Sequence, residues 1–295
     1  MTNRFRLSLW TLCCLTLCSA MAQSEPATAD QDKTVRMVYL VSKDREVRSD
    51  YQQAIEGAIR ELQGWYARQL NGPTFKLHNP VVEVARSSQP AGWFYNHANG
   101  GNQDDWGFNN TLAEASRLLG ARYNDANYIW VIYSDGPGNK GRGGSGVTCL
   151  PEDDLLGLIG KHPTQKEPAR WVGGLGHELG HAFGLAHPTD TVRDADAIMW
   201  AGFYGKYPGK AYLTEQDKRI LLRSPFFFDA AGKPVLGKET FTEKYFDEIK
   251  REGETIWLED AARNITIQLP AKGGGSMVSG DGGTNWQKLY DVRTD

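Results

Sequence analysis

The sequence predicts an α/β fold of the α+β kind: a twisted, mostly parallel sheet flanked by helices, with a small β-rich region at the C-terminus. Three observations predict it. Apolar, β-branched runs at 34–42 and 127–135 alternate with helical patterns, as parallel strands joined by crossover helices do. A glycine-rich helical stretch beginning near Pro168 carries a cluster of histidines. Past residue 250 the pattern becomes short strands separated by turn residues.

Taken in order, residues 1–22 read as a signal peptide. Arg4 and Arg6 form a positive start, Leu7 to Leu17 an apolar core too short to span a membrane, and Ala20-Met21-Ala22 a small-x-small cleavage site. The chain is therefore expected to be secreted or periplasmic, with no stable membrane insertion once the signal is removed. Cys13, Cys14 and Cys18 leave with the signal, so Cys149 stands alone and no internal disulfide is expected. Losing the two arginines takes the net charge from −3 to −5. A mildly acidic surface offers nothing to nucleic acid.

The run 34–42 is the first strand. A helix follows with Ser49 as its cap, Tyr51, Ile55, Ile59, Leu62, Tyr66 and Leu70 on one face, and Asn71-Gly72 as its end. A second strand lies within 75–87, with Pro80 marking a bulge or an edge. Residues 88–110 read as a long loop whose Trp93, Phe94, Tyr95, Trp106 and Phe108 either pin it to the core or line a glycan or calcium site. The core role is favoured, and calcium has no further support. A second helix is expected over 111–123 and a third strand over 127–135. His78, His97 and His162 lack ligand spacing and are expected on the surface or in loops.

The stretch GGLGHELGHAFGLAHP, 173–188, contains HExxHxxGxxH: His177, Glu178, His181, Gly184 and His187. Residues i and i+4 share a helix face, so His177 and His181 can point two imidazoles at one metal ion, with Glu178 beside them. His187 can join only if the chain turns back, and Gly184 permits that turn. Three neutral histidines leave one position open on a tetrahedral ion, the arrangement of a catalytic zinc. A bare HExxH arises by chance in roughly one sequence in a hundred of this composition, and the full pattern in about one in a hundred thousand.

This motif resembles that of the metzincin zinc metallopeptidases, and Pro188 after the third histidine is the variant seen in serralysins. The resemblance implies a metzincin-like zincin catalytic domain, one catalytic Zn2+, and Glu178 as general base. It also implies a methionine turn beneath the metal, for which Met199 in DADAIMWAG is the candidate. It further implies an antiparallel edge strand on the upper cleft rim, placed at Gly144 to Leu150 with Gly146, Val147, Thr148 and Cys149 along it. Substrate would add to that edge as a further strand. Serralysins and astacins carry a tyrosine two residues after the methionine; here that residue is Ala201, leaving Tyr204 and Tyr207 as candidates for an oxyanion or substrate contact.

Beyond this, Thr214 and Asp217 open a helix that Pro225 stops, and the catalytic domain is expected to span 34–228. A helix over 240–252 is opened by Thr240 and Glu243, with Phe241, Tyr245, Phe246 and Ile249 on one side. Four strands complete a region bounded at 238–295, and SGDGGTNW within it resembles a single Asp-box hairpin, with Ser279, Asp281, Gly283 and Trp286 in place. Together these features predict a monomeric, secreted zinc endopeptidase acting on protein or peptide. Two alternatives stand beside it: a glycoprotein-directed metallopeptidase, suggested by the aromatic loop, and a non-catalytic zinc-containing binding protein, which would have no need of Glu178.

Overall fold

The computed structural model describes residues 33–138, 140–235, 247–260, 265–281 and 283–292. The signal segment and the start of the helix expected over 240–252 lie outside these residues. Strand β1 (Thr34–Val41) is followed by helix α1 (Ser49–Gln69) and strand β2 (Thr74–Arg86). Then come α2 (Trp93–Asn96), α3 (Gln103–Leu119), β3 (Tyr128–Ser134), and the hairpin of β4 (Arg142–Gly144) and β5 (Val147–Leu150). Helices α4 (Glu152–Leu158), α5 (Pro168–Ala182) and α6 (Glu215–Leu221) lead to β6 (Phe227–Phe228).

These six strands form one sheet in the order β4-β5-β3-β1-β2-β6. β5, β3, β1 and β2 run parallel, and antiparallel β4 and β6 close its two edges. Alternation along the strands divides two cores. Val35, Met37, Tyr39 and Val41 of β1 join Ile129, Val131 and Tyr133 of β3 in a core shared with α1 and α5. Val38, Leu40, Trp130 and Ile132 face the other way, toward α2 and α3. Buried on both faces, these strands read as unbroken apolar runs, and the parallel sheet matches the expectation from sequence.

Pro80 does mark an irregularity: the β1–β2 register jumps from Val35 opposite Leu77 to Met37 opposite Val82. The aromatic loop is shorter than expected, because α3 begins at Gln103 rather than at 111. Asn102 accepts from the Asp104 backbone N–H, and the Asp105 carboxylate accepts from Asn102's own N–H, a reciprocal cap that starts the helix early. The helix ends at Gly120, with φ of 76°, three residues before Tyr123. Phe94 is fully buried and Trp93 and Phe108 pack against it, so these rings do pin the segment to the core. At α1 the N-cap is Arg48, not Ser49, which is already helical.

The tail forms a second, wholly antiparallel sheet in the order β11-β10-β9-β8-β7. Its strands are β7 (Asp247–Glu252), β8 (Thr255–Asp260), β9 (Ile265–Pro270), β10 (Gly274–Ser279) and β11 (Gln287–Val292). The four expected strands are present. Residues 247–252, expected as helix, are instead strand, because pairing of Glu252 with Thr255 across Gly253 (φ 60°) makes a tight hairpin. The Asp-box-like turn forms as the side chains suggest. Asp281 accepts from the backbone N–H groups of Thr284 and Asn285, and the Trp286 indole donates to the Gly283 carbonyl. No helix among the described residues is long and apolar enough to cross a membrane.

Candidate metal centre

Helix α5 carries four glycines, Gly173, Gly174, Gly176 and Gly180, each costing about 1 kcal/mol against alanine in a helix interior. Close packing replaces the lost propensity. A Cβ at Gly176 would stand 2.7 Å from Leu62 of α1 and 2.9 Å from Ile198. A Cβ at Gly180 would collide with the Met199 sulfur, and Met199 is fully buried, so the expected methionine lies directly beneath the helix. Gly184, with φ of 93°, then turns the chain back toward His187.

The three histidines converge. Nε2 of His181 lies 3.1 Å from Nε2 of His177 and 3.1 Å from Nε2 of His187, and the third side of the triangle is 3.3 Å. His177 Nδ1 donates to the Ile198 carbonyl and His181 Nδ1 to the Leu185 carbonyl, both at 2.8 Å. A carbonyl can only accept, so each Nδ1 holds the proton and each Nε2 presents a lone pair to the shared point. Burial pushes the His177 imidazole down to about 4, which keeps it neutral. A point about 1.8 Å from all three nitrogens exists, a spacing that fits Zn–N bonds of about 2.0–2.1 Å, so these three side chains would hold a zinc ion. Among the described residues this is the single cluster of three metal-ligating side chains.

Glu178 stands beside this point. Burial pushes its carboxyl up to about 8, with Asp154 of α4 adding to the rise, while the Gly143 backbone hydrogen bond, Arg142 and Arg170 oppose it. Strand β4 crosses directly over the helix here: a Cβ at Gly143 would run into the Glu178 backbone, so only glycine allows the approach. Thr148 Oγ1 donates to the Glu178 carbonyl at 3.1 Å. Arg142 pairs with Asp105, and Lys140 with Asp104 at 3.4 Å, so the first turn of α3 pins the strand from above.

The cleft rim differs from the sequence expectation. Gly146, Val147, Thr148 and Cys149 are paired or buried between β4 and β3 and are not an edge. The free edge is β4, because Ser145 (φ 49°) and Gly146 (φ 84°) form a turn in the middle of the expected strand. Cys149 is buried on the α3 side of the sheet, away from α5, and burial pushes its thiol far up. That position keeps the thiol apart from the three histidines. Cys149→Ala is expected to change any activity of this site less than about twofold; strong activation would show that the thiol does restrain the site.

Tyr207 is also misplaced as an oxyanion group. It is buried against Trp65, and its hydroxyl donates to Glu61 of α1 at 3.0 Å. Tyr204 stays near the site, exposed and tilted over Phe203 with ring centres 4.1 Å apart. Sequence reasoning missed the wall itself. The Phe203 ring lies 4.8 Å from His177, and the exposed Trp200 meets His187 edge-on at 5.4 Å. The spacing of aromatics after Met199 was the available signal. His78, His97 and His162 lie apart from the cluster.

No family model matches the chain, and no curated protein matches it. Among solved structures, it is similar to a catalytically inactive OgpA from Akkermansia muciniphila in complex with an O-glycopeptide (glycodrosocin) substrate. That likeness has 16% identity, covers 87% of this chain and 76% of that one, and has a TM-score of 0.49. Archaemetzincin from Methanopyrus kandleri has 17% identity, covers 64% of this chain and 95% of that one, and has a TM-score of 0.34. A zinc-dependent peptidase from Methanocorpusculum labreanum has 13% identity over 62% of this chain and 98% of that one, with a TM-score of 0.26. Overlaps this loose leave function to be argued from the site itself.

Proposed function

We propose that this chain is a secreted or periplasmic zinc-dependent endopeptidase of the metzincin type. One observation carries the reading: three Nε2 atoms meet around a single point, on the helix that carries the half-buried Glu178, under the free edge of a strand. His177, His181 and His187 would hold the ion, and Met199 and the Ile198 carbonyl would fix the floor beneath them. Zinc supplies positive charge that acidifies a water and polarises a peptide carbonyl.

The protein's own groups do the rest. An extended peptide adds to the open edge of β4, whose backbone N–H and C=O groups orient it above α5. Glu178 takes the proton from the attacking water and passes it to the leaving amine. Its half-buried setting pushes the carboxyl up, which favours holding a proton between its uptake and its return. Trp200 and Phe203 stand against His187 and His177, and Tyr204 against Phe203, so an aromatic side lines the site.

The test is hydrolysis of unglycosylated casein, with and without a chelator, and with zinc restored afterwards. Cleavage that stops on chelation and returns with zinc is the expected result. Cleavage only of glycosylated versions of the same peptides would move the assignment to a glycoprotein-directed peptidase. Zinc bound at one per chain with no cleavage of any peptide would favour the non-catalytic binding protein.

A further inference from the structure

Arg170 sits on the third residue of α5, and Gly174 and Glu178 follow it at i+4 and i+8 on the same helix face. Gly174 has no side chain, and a Cβ there would stand 2.7 Å from the Arg170 Nη1. The guanidinium therefore lies over Gly174, whose backbone stands one helical turn, about 5.4 Å, before that of Glu178. Three rings hold it: Trp171 at 4.9 Å, Phe203 at 4.7 Å and Tyr204 at 4.4 Å from the guanidinium carbon. Phe203 is the ring that touches His177, so the cation is built into the wall of the cleft.

Its own needs are not met. Arg170 Nε is buried without a hydrogen-bond partner, and none of the ion pairs among the described residues involves its guanidinium. Asp154 and Glu178 are acidic groups that feel its charge. Burial holds the Asp154 carboxyl up at about 7, so it is a weak counter-charge. An arginine placed only to brace the aromatic segment gains nothing from leaving its buried Nε unpaired, while the half-buried residue leaves the outer part of the fork open to a ligand. A planar guanidinium fixed between π faces is preorganised for a two-pronged bond to a carboxylate.

We propose that Arg170 is a specificity-determining residue of this cleft, and that it binds a carboxylate carried by the substrate. The inference rests on the peptidase reading above. A distance of one helical turn from the catalytic glutamate corresponds to one or two residues of extended peptide, at about 3.3 Å each. The carboxylate therefore belongs to an aspartate or glutamate within two residues of the scissile bond, or to a free C-terminus at that distance.

The experiment is a cleavage-site profile on an unglycosylated peptide library, prepared with free and with amidated C-termini, for the wild type, Arg170→Gln and Arg170→Lys. Pairs of peptides differing only in Glu against Gln are then measured for kcat and KM separately, with zinc content determined on each protein. The wild type is expected to favour the Glu peptide by at least about tenfold in kcat/KM. Arg170→Gln brings that ratio near one while keeping its zinc, and Arg170→Lys retains part of it, because a point charge cannot replace the fork. Loss of the preference on amidation assigns the carboxylate to the C-terminus, and persistence assigns it to a side chain. A wild type that cleaves the library with no acidic preference overturns the inference and leaves the peptidase intact. A wild type that cleaves nothing overturns both.

Discussion

Glu178→Ala is expected to keep about one zinc per chain and a near-normal melting temperature while kcat falls at least about 100-fold. The division follows from where the atoms are. The metal point is defined by three imidazole nitrogens, two of them oriented by backbone carbonyls, and none of these contacts involves the Glu178 side chain. The backbone of Glu178 does hold structure, since Thr148 donates to its carbonyl and β4 packs on it. Alanine preserves that backbone. The carboxyl is also held in a setting that disfavours its charge, so removing it takes away a desolvated acid rather than a stabilising ion pair. KM is expected to change little, because the proposed substrate path runs along β4 and the aromatic wall rather than over the Glu178 side chain. Peptide turnover at the wild-type rate with zinc in place would sink the proton-transfer role. Loss of zinc together with activity would show instead that the glutamate shapes the site.

What could be read from the sequence follows the range of the interactions involved. The ligand set is local: an i, i+4 pair, a glycine turn and a third histidine within eleven residues, so spacing alone places it. The parallel sheet was legible because burial on both faces writes itself as unbroken apolar runs. The rim was not. RGGSGVTCL hides a two-residue turn inside a run of glycines, and composition cannot say which side of Ser145-Gly146 ends up at the sheet edge. The start of α3 was missed because its cap uses Asn102 and Asp105 rather than the commoner serine or threonine with glutamate. Tyr207 and Phe203 lie four residues apart after the methionine. Which of them faces the histidine cluster is decided by Glu61 and Trp65 on α1, more than 130 residues away in the chain. Residues 247–252 read as an amphipathic helix and fold as a strand because β8 supplies a hairpin partner, a tertiary choice that overrides local periodicity.

His187→Ala should fail in the opposite way from Glu178→Ala, losing zinc first and stability with it. His177 and His181 are mounted on α5 and locked through Nδ1, so their half of the site survives the substitution. His187 reaches the point only through the turn at Gly184 and stands exposed against Trp200. Two imidazoles on one helix bind zinc far more weakly than three, and affinity is expected to fall more than the roughly 10- to 100-fold typical of losing an outer partner. Stability follows, because α5 is held by packing and metal rather than by helix propensity. With free zinc at about a thousand times the wild-type dissociation constant, binding adds about 4 kcal/mol, or on the order of 10 °C in melting temperature for a domain of this size. The variant forfeits most of that gain. The decisive comparison adds a chelator: wild type and His187→Ala should then melt within a few degrees of each other, because without metal the exposed histidine holds little. A gap that persists in chelator would mean that His187 braces the fold directly, and that the metal is not what ties this segment to the helix.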